Sequence, residues 1–400
     1  MIFLGIFVLI ASGLLFVTVF NQVFKLEPNQ TKYTGIEGLR GFLAFFVFVH
    51  HYSSWYGLMH TVQWSLIEPV AILARFGKHS VFIFFMITGF LFFDKLFRNE
   101  PINWSEFLWK RIFRLFPLYF LSILVVIFYV LLKTNFELTV SKSKLLEYSL
   151  NWIAFGFIKC PAINNDGISH LTNSGVHWTL SFEVFFYLSL PLFAAVFFKK
   201  QIPLLTAFIC ASICYFFLTK RGFNTAIFKM FIYGILVAFV NFKIKNTGLS
   251  IKSKWIGFAG ILLFYSVFND KFANENLDIC ALFLLFFIIV RGNSILGVLN
   301  WKSSQILGQL SYSVYLIHGL VIYTLNTFII PKSYILSLSK TNYMFLGIVY
   351  CSAIIFVSFL THIYIELPGN KLITHIRNIM PKMEAELNKM YTKAITIFNK

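Results

Sequence analysis

The sequence predicts an all-α polytopic membrane protein, a helical bundle of about 10–11 transmembrane helices. Three observations carry that reading. Of the 400 residues, 58% are hydrophobic and only 12% charged, whereas a soluble domain of this length holds roughly 25% charged residues. Phe occurs 51 times, which suits lipid-facing and packed helices better than a small core. Apolar runs of about 20 residues, enough to cross a hydrocarbon layer of about 30 Å, recur along the chain.

Eleven segments fit a span: 2–24, 40–59, 79–97, 115–132, 178–198, 202–219, 225–242, 255–268, 279–291, 306–330 and 343–365. The first has no basic residue ahead of its apolar run and no small-residue cleavage site after it, so it reads as a helix rather than a signal peptide. Segments 255–268 and 279–291 are short and are expected to tilt, extend or pair as half-helices. The stretch 148–158 is too short to span and is expected at the interface.

Lys25, the first basic residue, follows the first run. The excess of Lys and Arg in cytoplasmic loops then places the N-terminus outside and the C-terminus in the cytoplasm of a multi-pass protein of the cell membrane. Threaded from that start, 22 of the 34 basic residues fall inside. Inner loops facing anionic lipid also account for the net charge of +18, so no nucleic-acid partner is needed. The five cysteines form no C-x-x-C pair, so neither a zinc site nor a disulfide framework is expected, and no metal. The tail 371–400 mixes lysines with apolar residues at helical spacing and reads as a cytoplasmic amphipathic helix or a solvated tail.

Polar residues in apolar surroundings are the functional candidates, because ionisable groups at membrane depth cost several kcal/mol. In GLRGFLAFFVFVHHY (38–52), His51 follows Arg40 by eleven residues. Eleven steps of 100° end about 20° from three full turns, so the two share a face about 16 Å apart, whereas His50 points elsewhere. The ordinary alternative is an Arg40 that snorkels to one interface and two histidines at the other. In FLWKRIFRLFPLYF (107–120), Arg111 and Arg114 lie one turn apart, a pair able to fork onto phosphate or carboxylate; the alternative, favoured when the pair is taken alone, is inner-face charge with lipid headgroup binding. Pro117 is expected in the first turn of the following helix.

In HWTLSFEVFFYLSLPLF (177–193), Glu183 sits five residues inside a span with Tyr187 at i+4; the alternatives are a catalytic carboxylate and a structural ion pair. LGQLSYSVYLIHGL (307–320) places Ser311 and His318 on one face and Tyr312 and Tyr315 at i,i+3, His318 being a catalytic group or a satisfied core histidine. Glu366, in YIELPGNK (364–371), ends the last span.

Taken together and in this order, these elements resemble acyltransferase family 3, from about residue 35 to 370. The resemblance rests on the GLRG…H start, FMITGF (85–90), the R-x-x-R-x-x-P-x-Y element, WTLSFE, SYSVYLIH and the final E-x-P. It implies about ten helices and transfer of an acyl group, usually acetyl, from acetyl-coenzyme A to a hydroxyl of a cell-envelope polysaccharide or glycolipid. Acyl-CoA would be a donor substrate, with no permanently bound cofactor. By this resemblance Arg40 and His51 form the essential pair, Arg111 and Arg114 match the family's basic pair, and Glu183 its acidic position. His318 and Glu366 are less clearly functional.

The chain departs from the family in carrying an extra first span, which divides it into 1–36, an acyltransferase-like domain 37–370 and the tail. It has no room for the soluble esterase-like domain of many relatives, so a partner protein is expected unless the acceptor meets the membrane core directly. The rival reading is an envelope glycan or lipid transporter or flippase. That class is expected to break helices at Gly and Pro in corresponding halves, a pattern the sequence lacks. Mechanistically, His51 is expected to act as general base or acyl carrier, with Glu183 orienting it or the acceptor.

Overall fold

The computed structural model describes residues 2–67, 70–158, 160–244, 251, 253–268 and 275–372. The tail helix expected beyond residue 372 lies outside them. Within the described residues there are fourteen α-helices and no strand. They are α1 Ile2–Phe24, α2 Thr34–Thr61, α3 Val70–Phe97, α4 Trp104–Lys133, α5 Lys142–Ile153, α6 His177–Phe198, α7 Leu204–Arg221, α8 Thr225–Lys243, α9 Lys254–Phe268, α10 Glu275–Val290, α11 Lys302–Gln309, α12 Ser311–Thr324, α13 Lys332–Ser337 and α14 Lys340–Thr361.

Each of the eleven segments read from the sequence is helical here, so the fold class holds. Among the described residues, eight helices are long and apolar enough to cross a membrane. α9 and α10 are apolar but shorter. α2 falls outside the eight although its 28 residues reach about 42 Å. Its composition is diluted by Glu37, Arg40, His50 and His51, and it tolerates them by burying its face between α3, α11 and α12 rather than meeting lipid.

Several boundaries differ from the sequence reading, for physical reasons. α3 starts nine residues before the expected 79 because Arg75 is neutralised from afar: it donates to Asp278 on α10 and, at 3.1 Å, to the Val267 carbonyl. α4 starts eleven residues early, capped by Asn103, whose side chain accepts from the Glu106 N–H at 3.0 Å. Arg111, Arg114 and Pro117 therefore lie inside one helix. Pro117 is not in a first turn; it frees the Phe113 carbonyl of an intrahelical partner, and Gly369 packs against that oxygen. The expected span 306–330 is broken at Leu310 into α11 and α12.

Of the segment 148–158 expected at the interface, residues 148–153 belong to α5 and the rest are turns, and the chain after it folds back on the bundle through 3-10 turns Ile163–Asn165 and Ser169–Asn173. Asn164 ties that return to the end of α4, donating to the Glu137 carbonyl at 2.8 Å and accepting from the Thr139 N–H at 2.8 Å. α1 packs along α14, Phe24 stacking on Phe359 at 4.9 Å.

The glycines of the GLRG element set the α2–α11 crossing. A Cβ on Gly38 would lie 2.1 Å from the Leu299 carbonyl oxygen, and one on Gly308 2.0 Å from that of Glu37. Gly308→Leu is therefore expected to push α2 off α11 and cost more than the ~1–3 kcal/mol typical of overpacking, because backbone blocks it. The check is a thermal melt of detergent-solubilised protein; an unchanged transition would contradict the packing.

Candidate active site

The helices enclose a cavity of about 400 Å³ that opens at the end of the bundle where α2 begins, here called the Arg40 end. α3 lines it from Val81 to beyond Leu91, α2 contributes Glu37 and Arg40, α4 contributes Arg111 and Arg114, α6 contributes Thr179, Glu183 and Tyr187, and α12 contributes Ser311, Tyr312 and Tyr315. Arg40, Arg111, Arg114, Glu183 and Tyr187, far apart in sequence, thus meet in one chamber. Six basic residues face three acidic ones, since Lys32, Lys95 and Arg98 oppose Asp94 at the mouth.

At the mouth the charges neutralise one another. Asp94 pairs with Arg98 at 2.5 Å and Lys32 at 3.5 Å, and accepts from Tyr33 Oη at 2.8 Å. Burial, opposed by the Asp94 carboxylate, holds the Lys32 ammonium below its usual value. Burial and the Asp94 bond push the Tyr33 phenol up.

Deeper in, the arginines are less satisfied. Arg40 Nη1 lies 3.4 Å from Glu37. The Arg111 guanidinium is boxed by aromatic faces, 4.8 Å from the Phe92 centroid, 5.4 Å from Tyr187 and 5.6 Å from Phe107, a cation–π setting that fixes its plane. Its Nε has no hydrogen-bond partner. No ion pair reaches Arg111 or Arg114 among the described residues, although the charges of Glu37, Glu183 and Glu366 lie around Arg114. Two guanidinium groups without an ion pair, in a protein-walled chamber, have the donors an anion would need.

The histidines lie beyond the cavity. Neither His51 nor His318 lines it, but Tyr315, at its deep end, lies 6.3 Å ring to ring from His318, and Phe84 lies 6.0 Å from Tyr315. The Tyr315 hydroxyl is held by Thr179 Oγ1 at 2.8 Å. One aromatic layer therefore separates the chamber from the histidine pair.

The pair itself has a defined hydrogen-bond order. His318 Nδ1 lies 2.9 Å from the Val314 carbonyl, and His51 Nδ1 lies 2.8 Å from His318 Nε2. A carbonyl only accepts, so the His318 proton sits on Nδ1 and its Nε2 accepts from His51 Nδ1–H. That leaves His51 Nε2 as a bare lone pair, and it has no partner among the described residues. His318 is fully buried, whereas His51 keeps accessible surface. His50 turns away as the helical phase requires: its Nδ1 meets the Leu73 carbonyl at 2.8 Å and its ring packs on Gly77 of α3.

Two expectations are redirected. Glu183 does not orient His51; it accepts from Tyr187 Oη, one turn along α6, and the orienting partner of His51 is His318. Glu366 lies off the cavity, committed to Ser313 Oγ and, at 3.2 Å, to His362 Nδ1, where it ties the end of α14 to α12. The sequence reading gave no role to Glu37, Thr179, Tyr312 or Tyr315. The only available signal was their helical spacing from Arg40, Glu183 and His318.

Against this geometry, the sequence profile of a family described as an acyltransferase domain matches residues 33–363. The chain belongs to acyltransferase family 3. No curated protein and no solved structure matches it. The family-3 match begins at the start of α2 and runs through α14, taking in the histidine pair and all of the chamber lining but Thr31 and Lys32, and leaving α1 outside. The protein is a membrane acyltransferase.

Proposed function

We propose that the protein moves an acyl group, acetyl by the family's usual chemistry, from acyl-CoA to a hydroxyl of a cell-envelope polysaccharide or glycolipid. The observation that carries this reading is the separation of an anion site from a free imidazole nitrogen. Arg40 and His51 stand about 16 Å apart on one helix face. The arm of coenzyme A between its pyrophosphate and its sulfur has about thirteen bonds, which at roughly 1.2 Å per bond reaches about 16 Å when extended. Phosphates among Arg40, Arg111 and Arg114 would therefore bring the thioester to His51 once the Tyr315 layer moves aside.

The chemistry then balances simply. The acceptor hydroxyl gives its proton to His51 Nε2 and its oxygen attacks the thioester carbon. The C–S bond breaks, and the departing thiolate takes the proton back to give free coenzyme A. The same nitrogen serves an acyl-imidazole route, in which Nε2 attacks first and the C–S bond breaks to release the thiolate; the acceptor oxygen then displaces the imidazole, and its proton passes to the thiolate to give free coenzyme A. Glu183, near both arginines, balances their charge while the chamber is empty. Mass spectrometry of envelope glycans from cells with and without the gene tests the reading; identical acylation in both would contradict it.

In this scheme His318 positions His51. His318→Leu is expected to lower kcat about ten- to a hundredfold with coenzyme A affinity unchanged, because the Nδ1–H of His51 loses its acceptor. His318→Gln, whose amide oxygen can accept that hydrogen, should recover part of the loss. Equal damage from both substitutions would assign His318 to packing alone.

The scheme also sets the topology: the Arg40 end faces the cytoplasm of the cell membrane, residues 37–370 form the working domain, and α1 is an addition with its N-terminus outside. Gly167 is exposed with open space around it. In a background without native cysteines, Gly167→Cys is expected to react with an impermeant maleimide added to intact cells, and Gln30→Cys is not. The reverse pattern would invert the protein. The native Cys160 thiol, pushed up to about 12 by burial, should label far more slowly than Gly167→Cys at neutral pH, because the thiolate is the reactive form.

A further inference from the structure

We propose that the end of the bundle opposite Arg40 holds an acceptor subsite in which Trp64, backed by the buried Trp55 and flanked by Tyr323, seats a neutral pyranose ring beside His51. The proposal rests on the acyl-transfer reading above, because the acceptor hydroxyl must reach His51 Nε2. His51 keeps accessible surface without lining the donor chamber, and the aromatic ring nearest it apart from His50 and His318 is Trp64 at 6.1 Å. Trp64 lies on the non-helical segment after α2, half-buried. Its indole N–H has no hydrogen-bond partner among the described residues.

The wall around it is fixed. Trp55, one turn beyond His51 on α2, meets Trp64 edge to face at 5.8 Å and Tyr323 at 6.0 Å. Its own N–H is tied to Ser174 Oγ at 3.2 Å. The loop carrying Ser174 is clamped beside His318, since a Cβ on Gly319 would lie 2.3 Å from the Asn173 backbone. This end therefore combines aromatic faces with two polar atoms that have no hydrogen-bond partner among the described residues, His51 Nε2 and Trp64 Nε1.

A saccharide satisfies both features: the C–H face of a pyranose lies on an indole, and its hydroxyls reach the two nitrogens. An acyl chain would leave both nitrogens unpaired, which is costly in an apolar wall. Charge supports a neutral sugar, because among the described residues the charges that act on Tyr323, Lys133 and Asp166, neutralise each other at 2.9 Å.

The test uses purified full-length protein in nanodiscs and a panel of methyl glycopyranosides. Glycoside binding is read by saturation-transfer NMR, and coenzyme A binding is read separately by calorimetry. At least one glycoside should bind the wild type saturably. Trp64→Ala should weaken it about tenfold, and Trp64→Phe, which keeps a ring, by less than about threefold. Coenzyme A affinity of both variants should stay within about twofold of wild type, which also shows that they fold. Binding that Trp64→Ala leaves unchanged, or no glycoside binding at all, overturns the subsite whatever coenzyme A does. Glycoside binding that depends on Trp64 in a protein that does not bind coenzyme A would instead sink the donor reading and leave the subsite standing.

Discussion

His51→Ala is expected to lower acyl transfer by about 10²–10⁴-fold, the usual contribution of a positioned general base, while the protein stays inserted and binds coenzyme A as before. The expectation follows from one hydrogen-bond chain: Val314 carbonyl, His318, His51, then a free Nε2. If His51 instead carries the acyl group, the loss should be at least as large, and rapid quenching of the wild type should trap acyl-protein. His50→Gln is expected to retain most activity, because His50 faces α3 and its Nδ1 bond to the Leu73 carbonyl can be replaced by an amide N–H. A larger loss from His50→Gln than from His51→Ala would show that the assignment of the two rings is reversed. Full activity in both variants would remove the base from the mechanism.

The second large effect belongs to the donor site. Arg111→Ala or Arg114→Ala is expected to weaken coenzyme A binding roughly ten- to a hundredfold, since a hydrogen bond to a charged group contributes about 1.5–3 kcal/mol. Lys should rescue only in part at either position, because an ammonium keeps the charge but loses the planar fork. The deficit should be greater at 111, where the guanidinium lies over the rings of Phe92, Phe107 and Tyr187. A role limited to lipid anchoring makes the opposite forecast, with Lys replacing Arg fully, because headgroup attraction depends mainly on charge. Calorimetric titration of coenzyme A into the double Arg→Lys variant decides it; wild-type affinity would end the donor-clamp assignment.

Much of this was legible in the sequence because it is periodic. Apolar run length located helices in all eleven segments, and the 100° step separated His51 from His50 before any coordinates, since both facts depend only on local helix geometry. What stayed hidden depends on contacts between distant residues. The partner that lets Arg75 enter α3 is Asp278, and the partner that orients His51 is His318, 267 positions away. No spacing rule reports such pairings. Glu183 was read as a possible partner for His51 because both are buried ionisable groups, but only the packing of α6 shows that it belongs to the arginine chamber. The packing role of the GLRG glycines stayed hidden for the same reason: the Leu299 carbonyl that requires Gly38 and the Gly308 amide that requires Gly41 lie on the facing backbone.

The most direct measurement is a cryo-EM structure of the protein in nanodiscs with an acyl-CoA analogue whose thioester is replaced by a thioether ketone. The account predicts the pyrophosphate among Arg40, Arg111 and Arg114, the Tyr315 ring displaced, and the ketone within hydrogen-bond reach, about 3 Å, of His51 Nε2. Phosphates bound away from these arginines, or an arm that turns out past Arg98 and leaves His51 untouched, would contradict it.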